Sequence, residues 1–202
     1  MEKKTLWKEV TGWLYKSVLI YSLAGILGSV LSVFSLTSAI GEAANGNIVG
    51  AADSFDTADT IIMIANIAIL AGYALFFVYA GKFRELLSGD DAKAAASMRT
   101  AHLLLMVSAL LLLLPIPGLI ALIVEIVAWF MMLSACGKLM NSTNIPELAA
   151  TGMKKVRLSM ILSLIGGIIS IIPIIGIVGA ILSLVAFFIN LSGWSKVAQS
   201  EI

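Results

Sequence analysis

Residues 101–135 read AHLLLMVSALLLLLPIPGLIALIVEIVAWFMMLSA. The run is too long and too apolar for one upright membrane helix, which needs about 20 residues to cross some 30 Å of hydrocarbon. Its middle is interrupted by Pro115, Ile116, Pro117 and Gly118. Proline removes a backbone donor and ends a helix, and glycine permits a tight turn. Unpaired backbone cannot sit in lipid, so the break belongs at a membrane surface. The stretch therefore predicts a hairpin of two transmembrane helices. Residues 158–191 repeat the plan, with Pro173 and Gly176 near the middle.

Working outward, residues 17–39 and 58–80 are apolar runs of spanning length. The first is longer than the 7–15 residue apolar core of a signal peptide and reads as an uncleaved helix. The fold class is an all-α integral membrane protein of about six transmembrane helices, arranged as three hairpins. Residues 1–16 form a basic amphipathic segment on the cytoplasmic side, with Leu6, Val10, Trp13 and Leu14 at helical spacing. Two placements fit it: a short helix lying in the headgroups, or a continuation of helix 1. The first hairpin occupies 17–83, with an acidic outer loop at 41–57. The second occupies 84–139 and turns at 115–118. The third occupies 140–202 and turns at 173–176. Helices 3 and 5 have only about 15 apolar residues between Arg99 or Arg157 and the turn, against the usual 20. Those arginines must snorkel, or the two hairpins are re-entrant.

Composition agrees with lipid as the solvent. Apolar residues make up 60% and charged residues 12% of the 202, where soluble proteins carry about 25% charge. Mean hydropathy is +1.04. With this topology all 13 basic residues fall on the side of the termini, which the positive-inside rule makes cytoplasmic. Trp7, Trp13, Tyr15, Tyr79 and Trp194 fall near the same interface, as an aromatic belt would. A plasma (inner) membrane location with both termini cytoplasmic follows as the expectation. A net charge of +1 points to no nucleic-acid partner. One cysteine, Cys136, and one histidine, His102, leave no metal constellation, and no cofactor motif is visible.

Sliding 99–139 onto 157–197 gives 12 identities in 41 positions, among them Arg99/Arg157, Pro115/Pro173, Gly118/Gly176 and Lys138/Lys196. The hairpin reads as an internal repeat. In outline, three tandem two-helix units resemble the mitochondrial carriers. The P-x-[DE]-x-x-[KR] signature of that family is absent, and nothing transfers from it.

Few polar residues lie at membrane depth, and those that do carry the functional reading. Glu125 falls about 10 Å beyond the turn at 1.5 Å per residue, level with Ser108, whose hydroxyl could donate to it. Intramembrane carboxylates usually face a bundle interior or a wet cavity. Asn66 and Asn190 are interhelical hydrogen-bonding residues or further members of a polar path. Gly25, Gly28, Gly72, Gly166, Gly167 and Gly179 recur with small partners at helical spacing, the pattern of close helix packing within a chain or between copies. A homo-oligomer is compatible with it. The expected function is a non-enzymatic scaffold or subunit, with lipid around it and a protein partner on the charged cytoplasmic face. The alternative is a small channel or transporter that uses Glu125 in a wet interhelical path.

Overall fold

The computed structural model describes residues 2–112, 118–170 and 176–202, with the side chain of Leu112 left aside. They form six helices: α1 Glu2–Ala44, α2 Ile48–Glu85, α3 Gly89–Leu112, α4 Gly118–Leu139, α5 Glu147–Ser170 and α6 Gly176–Gln199. Five of them, all but α5, are long and apolar enough to cross a membrane. α5 carries Lys154, Lys155 and Arg157 in its first half, which shortens its apolar stretch. The expected turn residues Pro115, Pro117 and Pro173 lie outside the described residues. Gly118 and Gly176 open α4 and α6.

The first two helices depart from the expected boundaries. α1 has 43 residues and is about 64 Å long at 1.5 Å per residue, so it runs well beyond a hydrocarbon core on both sides. Residues 2–16 are its opening turns rather than a separate surface helix. Their apolar stripe finds protein instead of headgroups: Trp7, Val10 and Leu14 are buried in the core. The outer loop shrinks to three residues, Asn45, Gly46 and Asn47. Gly46 adopts φ +79°, a value that glycine accepts without strain. The Asn47 side chain then accepts from the Gly50 backbone amide at 3.0 Å and caps α2. Asp53, Asp56 and Asp59 thus sit inside α2, exposed, with no proline to stop the helix before them.

Among the described residues, each helix packs against its neighbours in chain order and α6 returns to α1. The six close into a ring of three tight antiparallel pairs: α1 with α2, α3 with α4, α5 with α6. The thinnest seam is α4 against α5. Glycines set the close approaches. A Cβ on Gly28 would strike Ala65, and one on Gly72 would lie 2.8 Å from the Tyr21 Cβ. Along α5 and α6 the backbones meet twice, at Gly152/Gly193 and at Gly166/Gly179. The repeat distance is 14 residues on each helix, two heptads, which keeps one seam in register. Gly167 meets nothing within 4 Å and is no part of this seam.

Among the described residues, the hydrogen bonds and ion pairs between neighbouring helix pairs gather at one end. At the end carrying the chain termini and the connections 86–88 and 140–146, neighbouring pairs are stitched together. Trp7 Nε1 donates to Ser200 Oγ at 3.0 Å, and Lys4 pairs with Glu201 at 2.6 Å. The Asp91 carboxylate accepts from Ser142 Oγ at 2.6 Å and Asn144 Nδ2 at 3.2 Å. Two joints are built alike: Arg99 lies along Gly81 and Arg157 along Gly137, each within 3.5 Å of the position a Cβ would take. Neither arginine simply snorkels. Arg99 stacks over Phe77 at 4.3 Å, and Arg157 donates to Met140 Sδ at 3.8 Å. Trp7 and Trp194, expected in the aromatic belt, are 1% exposed in this core. Trp13 and Tyr79 do fit a belt, stacked on each other at 5.2 Å under Lys16 and Lys82. Toward the turn end the close contacts at Gly28/Ala65 and Gly166/Gly179, and the Ser108 bond to Ala121, lie within pairs.

Candidate functional site

The one-ended fastening leaves a chamber on the ring axis. Just above the packed core is a cavity of about 190 Å³ to which every helix contributes. α1 gives Tyr21, α2 Tyr73, α3 His102, α4 Glu125 and Trp129, α5 Met160, and α6 Asn190 and Trp194. Tyr21, Tyr73, Trp129, Met160 and Asn190 also line a wider vestibule of about 670 Å³ that continues toward the turn end past Ser163 and Ser183. A third space of about 510 Å³ opens sideways between α4 and α5, lined by Glu125, Trp129, Ser163 and Gly167. The chamber thus adjoins two wider spaces, the second at the thinnest seam.

His102 sits at the floor and is 1% exposed. Its ring stacks on Phe76, with centroids 3.5 Å apart and planes 9° apart. Phe76 is in turn met edge-on by Trp194 at 5.1 Å. Tyr21 and Tyr73 lie 6.0 and 5.9 Å from the imidazole, and 4.8 Å from each other. Nδ1 is 3.0 Å from the Met98 carbonyl. A carbonyl only accepts, so this contact assigns the proton to Nδ1. Nε2 is buried with no hydrogen-bond partner. An acceptor stranded in this way costs about 1–3 kcal/mol.

Glu125 projects from the middle of α4 into both the chamber and the lateral groove. Its side chain is exposed in the isolated chain. No hydrogen bond or ion pair within the chain engages it, or Asn190, among the described residues. The expected partner is otherwise engaged: Ser108 donates to the Ala121 carbonyl at 3.0 Å, one turn from Glu125. Asn190 joins Glu125 at the chamber. Asn66 does not, for it lines a separate groove of about 310 Å³ between α1 and α2, beside Gly25 and Gly28.

The aromatic floor and His102 escaped the sequence reading. His102 was weighed only as a metal ligand near the inner surface, where it lacks companions. A histidine and two tyrosines well inside apolar helices, away from the expected belt, were the available signal. Their convergence is a property of the ring and not of any local motif. Comparison with protein-family models, with curated proteins and with solved structures finds no match for this chain.

Proposed function

We propose that this chain is a membrane carrier that admits a small solute to the central chamber, the second of the two functional classes the sequence suggested. The single observation that carries the reading is the cavity lined by all six helices, which adjoins a vestibule toward the turn end and a groove between α4 and α5. A scaffold needs packed helices and a docking face. It does not need a carboxylate, an amide and four aromatic side chains around one space.

The likeness of the Gly81/Arg99 and Gly137/Arg157 joints supports reading the hairpins as repeats of one unit. Repeats can rock against each other about a central site. The charge pattern supports placing the fastened end in the cytoplasm, so the vestibule faces out. Passage then requires the loop-end stitches to part. They are an exposed ion pair and a few hydrogen bonds, each of about 0.5–3 kcal/mol, and the apolar contacts of Trp7, Met98 and Trp194 beneath them must open as well. The action proposed is binding and passage rather than catalysis. A protein partner at the loop end and association of copies are both compatible with it.

Single cysteines at Met160, Ser183 and Asn190, in a Cys136→Ala background, test the reading. In sealed vesicles of known sidedness, a membrane-impermeant thiol reagent should label all three from the turn side. Cysteines at the lipid-facing Ile123 and Phe188 should stay unlabelled. Chamber positions that react no faster than those two would leave a scaffold as the better account.

A further inference from the structure

We propose that the ligand of the chamber is a small organic cation of the alkylammonium class, recognised by Glu125 together with the aromatic floor. The inference rests on the carrier reading and concerns what is carried.

Charge selects first. Among the described residues, Glu125 is the only carboxylate lining the cavity, and neither Lys nor Arg lines the cavity or the vestibule. An anion placed there would meet a like charge and no counter-charge. A cation would meet an opposite charge at membrane depth, where such pairing matters most.

The rings select next. Tyr21, Tyr73, Trp129 and Trp194 line the same cavity from four different helices. Aromatic faces attract cations through their quadrupole, most strongly when the cation is desolvated. A hydrated metal ion would gain little from these faces and would find one carboxylate where it needs several oxygen ligands. An alkylammonium carries its charge on a compact head and presents carbon to the rings.

Hydrogen bonding selects last. The Glu125 carboxylate accepts hydrogen bonds, and the side-chain carbonyl of Asn190 at the same cavity can accept as well. The ammonium N–H groups would donate to such acceptors. A neutral alcohol of the same length offers one donor and no charge. A cavity of about 190 Å³ suits an ion of a few carbon atoms and excludes a bulky one.

Three probes of matched size separate the possibilities: n-butylammonium, 1-butanol and butyrate. They are titrated calorimetrically into the purified full-length protein in detergent, with protein-free micelles as the blank. Butylammonium should bind saturably, at least ~10-fold tighter than butanol, about 1.4 kcal/mol by the affinity relation. Butyrate should be weakest. Glu125→Gln should abolish the preference for ammonium over butanol and leave butanol binding unchanged, a result that loss of folding would not produce. Butanol or butyrate binding as well as butylammonium, or no saturable butylammonium binding at all, overturns the inference. The preference persisting in Glu125→Gln overturns the role of Glu125. Chamber cysteines that still label from the turn side would show, in those cases, that the carrier reading survives without this ligand.

Discussion

Adjacent glycines on α5 should respond oppositely to the same methyl group. A Cβ on Gly166 would lie 2.9 Å from the Gly179 carbonyl oxygen and 3.1 Å from the Ser183 amide nitrogen, and one on Gly167 would meet nothing within 4 Å. Ordinary contact begins at 3.4 Å, so Gly166→Ala must push the two backbones apart by 0.5 Å (3.4 minus 2.9). Backbone atoms cannot swing aside as a side-chain tip can. Overpacking of this kind costs about 1–3 kcal/mol. Alanine also gains up to ~1 kcal/mol over glycine in helix propensity, but that gain is common to both variants and cancels between them. The difference between Gly166→Ala and Gly167→Ala is then the clash alone, about 1–3 kcal/mol, or roughly 2–12 °C in melting temperature for a chain of this size. Cys136 is free and fully buried, so a thiol-reactive dye reports unfolding without any added label. Gly167→Ala should melt at or slightly above wild type and Gly166→Ala clearly below it. If Gly166→Ala melts with Gly167→Ala or above it, the α5–α6 seam is not a backbone contact and the ring geometry built on it is wrong.

Two further outcomes follow from the loop end. Asp91 is 6% exposed and ties the 140–146 connection to α3 through Ser142 and Asn144. Asp91→Ala should cost about 1.5–3 kcal/mol, the range for hydrogen bonds to a charged group, and raise limited proteolysis within 140–146 several-fold; an unchanged cleavage rate would contradict the tie. Cysteines replacing Lys93 and Lys154 should label from the same side of sealed vesicles, and opposite-side labelling would falsify the charge-based orientation.

The apolar runs and their interruptions made the helices legible because lipid leaves the backbone few alternatives. The boundaries were less so. The Gly-, Ala- and Asn-rich stretch 41–57 reads as a loop, yet alanine favours helix and the chain leaves helix only at residues 45–47, where Gly46 takes φ +79° and Asn47 φ −86°, ψ 79°. Glu125 and Asn190 could be singled out as polar residues in apolar helices. Asn66 met the same test and lies elsewhere, because depth along a helix is readable from sequence and the direction a helix faces in a ring is not. His102, Tyr21 and Tyr73 belong to three helices whose mutual orientation no local pattern encodes. Gly152 and Gly193 were likewise missed. Each seals the α5–α6 seam without a small partner four residues away to mark it.

The asymmetry of the ring has a physical origin that connects these observations. α1, α3 and α5 carry basic residues in their first halves, and charged first turns favour water over lipid. There the apolar faces of Trp7, Met98, Ala149 and Met153 are driven together by the hydrophobic effect. Deeper in, lipid is as apolar as leucine, and helices associate only where small residues allow close contact. Those contacts, Gly28/Ala65 and Gly166/Gly179, lie within pairs and do not bridge them. A molecule fastened by water at one end and by steric fit within pairs at the other has reason to stay closed where it leaves the membrane and open where it does not. The chamber forms at the boundary between the two regimes, and Glu125, Asn190 and His102 sit at that level.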